Sequence, residues 1–179
     1  MSKEVLVIST SPRKSGNSET LAKEFAKGAK EAGHNVEMVN LRDKTIGFCK
    51  GCLICQKTTH CVIDDDAEVI ARKMLTAEVI AFATPVYFYG MSGQMKTMLD
   101  RSNPLYPSDY AFRDIYLLAT AADEEESAID GTIKGLQGWI DCFEKSKLKG
   151  VVRGVNLFEV GDAEKDPVLR EAYELGKKL

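Results

Sequence analysis

The sequence predicts an α/β fold in which a doubly wound sheet of five parallel strands is covered by helices on both faces. Short apolar runs such as residues 5–8 contain no polar residue to face water, as is typical of strands buried on both sides. Helical segments with apolar residues at four-residue spacing alternate with these runs. No linker, repeat or low-complexity segment interrupts the alternation. We therefore expect residues 1–179 to form a single domain, long enough for a full core.

The elements follow one another in a regular order. The first strand, residues 4–9, leads into a helix over 18–32, in which Leu21, Phe25 and Ala29 share one face and Gly33 is the expected stop. Further strands are expected at 35–39, 78–83, 114–119 and 150–158, and further helices at 65–75, 92–102, 126–145 and 166–178. Five strands that alternate with five helices predict a parallel sheet.

Composition narrows the classes of partner. The net charge is −3 and the pI is near 5.5, which gives no electrostatic basis for binding nucleic acid or an anionic membrane. The start of the sequence does not have the pattern of a signal peptide. The longest apolar run, residues 79–89, is interrupted by Thr84 and Pro85 and is too short to cross a bilayer. We expect a cytoplasmic protein that binds neither nucleic acid nor membrane.

A polar loop joins the first strand to the first helix and reads Ser-Pro-Arg-Lys-Ser-Gly-Asn-Ser over residues 11–18. Free N–H groups and the positive end of the helix dipole make such a junction an anion site. The loop lacks the glycines of a Walker A or dinucleotide-binding motif, so a terminal phosphomonoester suits it better than a pyrophosphate. The alternative is a polar turn that caps the helix. The candidate phosphate-binding residues are Ser9, Ser11, Arg13, Ser15, Asn17 and Ser18.

Two further loops follow the third and fourth strands and are expected to lie beside the first, since ligands of such sheets bind beyond the carboxyl ends of the strands. One carries three adjacent aromatic residues, and the other is made of small residues that let a planar ring approach. A phosphate site next to an aromatic slot indicates FMN. The alternative is that the aromatic residues extend a strand or fill a subunit interface. Because an aromatic loop beside a crevice is hard to bury within one small chain, we expect a homodimer or homotetramer with the ring near a subunit boundary. The candidate ring-binding residues are Pro85, Val86, Tyr87, Phe88, Tyr89, Gly90, Thr120, Ala121 and Ala122.

The irregular segment over residues 41–63 carries four cysteines in the pattern C-x2-C-x2-C-x5-C: Cys49, Cys52, Cys55 and Cys61. Thiolates at this compact spacing suit an iron–sulfur cluster. A zinc site, a redox disulfide and four ordinary reduced thiols are the alternatives. The aspartates at 64–66 are expected to cap the following helix, His60 to lie on the surface and Cys142 to lie in the core.

Three motifs carry a resemblance: the Ser-Pro-Arg-Lys-x-x-Asn-Ser loop, the Thr-Pro-Val-Tyr loop and the Gly-Gln-Met-Lys-Thr-Met-Leu-Asp-Arg helix at 93–101. Together they are similar to those of the NADPH-dependent FMN reductase group of flavodoxin-like proteins. The cysteine spacing resembles that of iron–sulfur flavoproteins, which add a [4Fe–4S] cluster to the same fold. The resemblance implies strand order 2-1-3-4-5. It also implies phosphate contacts from Ser11, Arg13, Asn17 and Ser18 and ring contacts from Pro85, Val86, Tyr87 and Phe88.

The function implied is an FMN-dependent oxidoreductase that takes hydride from NAD(P)H and reduces a quinone, a flavin or another small-molecule acceptor. Because the chemistry belongs to FMN, no catalytic side chain is expected. Two alternatives remain open. The protein is an electron carrier that exchanges electrons with ferredoxin through its cluster, or it is a flavin-binding redox sensor without turnover.

Overall fold

The computed structural model describes all residues from 1 to 179, and its centre is a parallel sheet. The strands are β1 Glu4–Ser9, β2 Asn35–Asn40, β3 Val79–Tyr87, β4 Gly90–Met91, β5 Asp114–Thr120 and β6 Lys147–Gly154. The five main strands lie in the order β2-β1-β3-β5-β6, and every neighbouring pair among them is parallel. The two-residue strand β4 pairs antiparallel with the end of β3.

Helices cover both faces of this sheet because side chains alternate along each strand. On one face, Val5, Val7, Ala81 and Leu118 pack under two helices; on the other, their sequence neighbours pack under three more. The helices are α1 Asn17–Glu31, α2 Cys55–Thr58, α3 Asp66–Thr76, α4 Gly93–Arg101, α5 Asp130–Ile140 and α6 Val168–Lys177. The first face is covered by α1 and α6, and the second by α3, α4 and α5.

Helices α1 and α6 touch backbone to backbone. A β-carbon at Gly28 would overlap the Tyr173 carbonyl oxygen, and one at Gly176 would overlap the Phe25 carbonyl oxygen. Both positions therefore need glycine for the close approach. The last helix is thus fixed to the helix that follows the polar loop.

The predicted fold class is confirmed. The predicted strand order 2-1-3-4-5 is also confirmed, because β5 and β6 are the fourth and fifth main strands once the short β4 is set aside. Three element boundaries are wrong. β3 continues past the expected end at residue 83 to Tyr87, where it turns into β4. Helix α5 ends at Ile140, five residues before the expected end, and a 3-10 turn at Glu126–Ile129 precedes it. β6 lies at Lys147–Gly154 because the chain turns away at Asn156, which has a φ of 54°. None of the helices combines the length and the apolar character needed to cross a membrane.

Candidate functional site

The loops that follow β1, β3 and β5 converge at one edge of the sheet, as the sequence predicts. Ser9 is the register partner of Ala83, and Pro85 is the register partner of Thr120. The Thr10 amide donates to the Ala83 carbonyl at 2.8 Å, so the loop after β1 leaves the sheet directly beside β3. The candidate phosphate and ring residues thus share one edge.

The phosphate loop, residues 9–18, contains two buried hydroxyl groups without partners. Ser9 Oγ and Ser18 Oγ are enclosed and make no hydrogen bond within the chain. Gly16 is the N-cap of α1 and offers no side chain to the first amides of the helix, which have no acceptor inside it. Because buried polar groups are almost always paired, this concentration of unused donors at a helix N-terminus fits an anion such as the FMN phosphate.

The other predicted phosphate ligands bind the protein itself. Ser11 Oγ donates to the Arg13 carbonyl at 2.9 Å, and the exposed Arg13 guanidinium donates to the Phe158 carbonyl at 3.2 Å. Asn17 donates to the Glu159 carbonyl at 2.9 Å and accepts from the Ala163 amide at 3.1 Å. Ser15 has a φ of 54° and its amide donates to Glu19. Asn17 thus joins the loop to the turn at 159–163, a contact that the sequence did not indicate.

A carboxylate buried behind this loop fixes its shape. Glu19 accepts from the Ser15 amide at 3.0 Å, from Arg42 Nη1 at 2.9 Å and from Lys23 Nζ at 2.9 Å. Burial opposes the charge of Glu19, but the bonds from Lys23 and Arg42 outweigh it and hold the pKa below its ordinary value. Arg42 also donates to the Arg13 carbonyl at 3.0 Å. Arg42, two residues after β2, therefore supports the phosphate loop.

The buried hydroxyls of Thr10, Thr84 and Ser92 join the loop after β1 to the segment after β3, and the sequence did not indicate a role for any of them. Thr10 Oγ1 donates to the Ala83 carbonyl at 3.0 Å and lies 2.9 Å from Ser92 Oγ. The Ser92 amide donates to Thr84 Oγ1 at 3.0 Å, and Ser92 Oγ caps α4 by accepting from the Met95 amide. Thr and Ser in loops are common, so only the predicted helix start near residue 92 hinted at this network.

The predicted ring-binding aromatics form a hairpin whose turn is exposed. Tyr87 ends β3, while Phe88 and Tyr89 form the turn with φ values of 49° and 60°. All three side chains are exposed, and Tyr87 is the last residue of β3. Tyr89 Oη donates to Asp123 Oδ2 at 3.1 Å, and a β-carbon at Gly131 would overlap the Tyr89 carbonyl. The hairpin is therefore pressed onto the start of α5.

The small-residue loop after β5 lies beside the hairpin. Thr120 and Ala121 are buried and Ala122 is exposed. The Ala121 amide donates to the Gly154 carbonyl at 2.8 Å, and the Asn156 amide donates to the Asp123 carbonyl at 2.7 Å. These bonds hold the loop to the end of β6 and to the residues that follow it.

The cysteine segment, residues 47–63, is the least buried part of this edge. Its apolar side chains Phe48, Leu53 and Ile54 are exposed, and among its thiols only Cys55 is buried. Burial raises the pKa of the Cys55 thiol, and the charges of Cys61, Cys49 and Cys52 raise it further. No three His, Cys, Asp or Glu side chains stand at metal-binding distances. The donor set suits a cluster, which would have to draw the thiols closer.

The structure shows the positions of three side chains for which the sequence made predictions: Asp65, His60 and Cys142. Asp65 caps α3 by accepting from the Ala67 amide at 3.0 Å, as predicted. His60 lies on the surface, where its ring contacts Glu68. Cys142 is exposed, so the prediction of a core position is wrong: the helix ends at Ile140 and the turn that follows directs this residue outward.

A family model described as NADPH-dependent FMN reductase matches residues 4–129 of this chain. An iron–sulfur flavoprotein of Methanocaldococcus jannaschii is 41% identical over 102 residues, which cover 57% of this chain. The match spans 53% of that relative, about half its length. An iron–sulfur flavoprotein of Archaeoglobus fulgidus is 29% identical over 175 residues, covering 94% of this chain and 75% of the relative.

Solved structures share the fold at low identity. An NAD(P)H:quinone oxidoreductase from Methanothermobacter marburgensis superposes with a TM-score of 0.79 at 16% identity, covering 99% of this chain and 96% of the other. An azoreductase from Bacillus anthracis superposes with a TM-score of 0.73 at 18% identity and covers both chains fully. Both likenesses concern the flavodoxin-like fold.

Proposed function

Since the chain belongs to the NADPH-dependent FMN reductase family, we propose that it is an NAD(P)H-dependent oxidoreductase whose single domain, residues 1–179, binds FMN at the carboxyl edge of the sheet. The observation that carries this assignment is the pair of buried, unpartnered hydroxyls of Ser9 and Ser18 at the uncapped start of α1. A phosphate there gives both hydroxyls and the free amides an acceptor.

The remaining edge suits the ring of the same cofactor. Pro85, Val86 and Tyr87 offer one wall and the loop from Thr120 to Ala122 offers small residues that leave room for a plane. The Tyr89–Asp123 hydrogen bond and the close approach at Gly131 keep the hairpin in place. FMN supplies the hydride chemistry when it is bound, so the side chains need only bind, orient and exclude water.

We further propose that Cys49, Cys52, Cys55 and Cys61 hold a [4Fe–4S] cluster. Two features support this: the four cysteines lie within thirteen residues of one segment, and the relatives carry the name iron–sulfur flavoprotein. A single loop of four cysteines is a recurrent iron–sulfur ligand set. With a cluster present, ferredoxin is the alternative electron donor. A quinone is the acceptor class favoured by the name of the Methanothermobacter marburgensis neighbour.

We also propose an oligomeric state and a cellular location for the protein. The exposed aromatic hairpin and the exposed apolar side chains of the cysteine segment favour a homodimer or homotetramer. A reduced cytoplasmic environment suits five free cysteines.

Ser18→Ala tests the phosphate assignment through two effects of opposite sign. Without FMN the variant should be more stable than the wild type, because it removes an unsatisfied buried hydroxyl at a gain of about 1–3 kcal/mol. FMN should bind it more weakly, by about 0.5–1.5 kcal/mol, since one hydrogen bond is lost. Denaturant unfolding and FMN titration measure the two effects. The matched control is Ser127→Ala on the exposed surface; equal FMN affinity in Ser18→Ala and the wild type would refute the assignment.

The cluster is tested by iron and sulfide analysis of anaerobically purified protein. We expect iron and acid-labile sulfide in equal amounts, lost in Cys55→Ser and kept in Cys142→Ser. Anaerobic NADPH and NADH oxidation assays with quinone, flavin and ferredoxin then separate the reductase from the electron carrier and from a sensor without turnover. Protein without iron, with all thiols titrating freely, would leave the plain FMN reductase.

A further inference from the structure

A single buried arginine contacts both ends of the cysteine segment. Arg101, the last residue of α4, is completely shielded from solvent. Its Nη1 donates to the Gly47 carbonyl at 2.7 Å, and its Nη2 donates to the Ile63 carbonyl at 3.2 Å. Gly47 and Ile63 flank all four cysteines. One guanidinium therefore closes the base of the segment.

Asp65 completes this arrangement. Its carboxylate forms a two-pronged pair with Arg101, at 2.7 Å from Nη1 and 2.9 Å from Nη2. The same carboxylate accepts from the Gly47 amide at 2.8 Å and from the Ala67 amide at the start of α3. Only a planar fork of donors can bind a carboxylate in this way and still reach two carbonyls, so lysine is not equivalent at position 101.

The guanidinium also reaches one of the four thiols. Arg101 Nη2 lies 3.4 Å from Cys61 Sγ, within hydrogen-bonding range of sulfur. Arg101 Nε is buried and has no acceptor, so the group still has an unused donor. Partners of this kind around a metal centre orient its ligands, and hydrogen bonds to sulfur help to set the reduction potential of iron–sulfur clusters.

We infer that Arg101 is a positioning residue for the metal centre: with Asp65 it forms a metal-independent clasp that holds the two ends of the cysteine segment together, and its bond to Cys61 raises the reduction potential of the cluster. The second part rests on the proposed function, because it needs the cluster. The first part concerns only the protein. The interior of the segment exposes Phe48, Leu53 and Ile54; single hydrogen bonds attach it elsewhere, from the Cys61 amide to Glu68 at 2.9 Å and from Gln56 to Asn103 at 3.4 Å.

The test compares Arg101→Lys and Arg101→Gln with the wild type in the full, anaerobically purified chain. Arg170→Gln, an exposed arginine on α6, is the matched control. The clasp is tested by amide hydrogen exchange of peptides over residues 45–65. The exchange is followed before and after iron is removed with a chelator. We expect exchange there to be at least tenfold faster in both variants, with or without iron, and unchanged in the control.

The reduction potential of the cluster measures the effect of the hydrogen bond from Arg101 to Cys61. Loss of the Arg101 donor should shift the one-electron equilibrium about tenfold toward the oxidised form, which corresponds to about 59 mV, with Arg101→Lys between Arg101→Gln and the wild type. If Arg101→Gln does not fold, Arg101→Lys and Asp65→Asn provide the same readouts. Unchanged exchange over 45–65 would overturn the clasp, and an unchanged potential at full iron content would overturn the role at Cys61. Wild-type protein without iron would overturn the cluster and the role at Cys61, while exchange still decides the clasp.

Discussion

Two carboxylate–arginine pairs support the candidate site, one beside each of its unusual segments, and their surroundings differ. Glu19–Arg42 lies behind the phosphate loop, and Asp65–Arg101 lies at the base of the cysteine segment. The Arg42 side chain keeps 23% of its surface exposed, whereas that of Arg101 keeps none. The first pair adds to a loop that is already bound at Asn17 and Ser11. The second is the main attachment of a segment whose interior faces water.

The difference separates two ways of holding a ligand. In the phosphate loop many weak bonds each fix a residue, so the loop keeps its shape when one bond is lost. In the cysteine segment a single buried pair fixes the two ends, and the thiols of Cys49 and Cys52 between them are exposed. Burying such a pair is costly when one partner is removed, because the other charge is left unpaired.

The largest effect is expected from Arg101→Met. This change leaves the Asp65 carboxylate buried without its partner and should lower the free energy of unfolding by about 3–5 kcal/mol. Chemical denaturation measures it, with Arg72→Met as control, since Arg72 forms an exposed pair with Glu68 worth at most about 1 kcal/mol. Equal losses in the two variants would show that burial does not distinguish the pairs.

Glu19→Gln should have a smaller effect. The amide keeps the shape of Glu19 but weakens its charge-assisted bonds to Arg42 and Lys23, so we expect a loss of about 1–2 kcal/mol in unfolding free energy. FMN should still bind, because the loop has other attachments. A complete loss of FMN binding with the fold intact would mean that this one carboxylate, and not the many bonds of the loop, maintains the phosphate site.

Acid should remove the two pairs in different ranges of pH. Both carboxylates have a folded-state pKa below the ordinary value, 4.5 for Glu19 and 3.8 for Asp65. Burial opposes the charge of Asp65, and the bonds from Arg101, Gly47 and Ala67 outweigh it. Each group therefore adds stability above its ordinary pKa, and that stability is lost as the pH falls from there through the folded value.

Above pH 4.5 the stability of Glu19→Gln should lie below that of the wild type by a constant amount, and the two curves should converge as the pH falls below 4.5. For Asp65→Asn the same convergence should begin only below pH 3.8. Denaturant unfolding at a series of pH values measures both. Curves that stay parallel to the wild type down to the acid transition would rule out these linkages.

The smallest effects come from two strained residues, Ser15 in the phosphate loop and Leu53 in the cysteine segment, with φ values of 54° and 57°. Glycine relieves the strain of a left-handed residue, which is of order 1 kcal/mol. Ser15→Gly should raise global stability by up to about 1 kcal/mol. Leu53→Gly should change it by less than about 0.5 kcal/mol, because the interior of the segment can open without global unfolding. Equal gains would mean that both segments unfold with the core.

Local patterns in the sequence were sufficient for much of this architecture. The buried run at 5–8, the polar loop behind it and the spacing of the cysteines each lie within a few residues, and the fold and the convergence of the loops follow from them. Asp65 as a helix cap is equally local. The partners of Arg101 lie 36 to 54 positions away, and Asn17 reaches the turn at 159–163. Such pairings depend on the folded chain, so no local pattern indicated them.

The bonds of Asn17 bear on how homologous chains can diverge. The family model ends at residue 129, yet the phosphate loop is fastened to residues 159 and 163, and α1 behind it is fastened to α6 through Gly28 and Gly176. Variation in the last fifth of the chain therefore reaches the loop through its backbone support while the loop sequence stays the same. Affinity for a phosphate can in this way be adjusted by residues that never touch it.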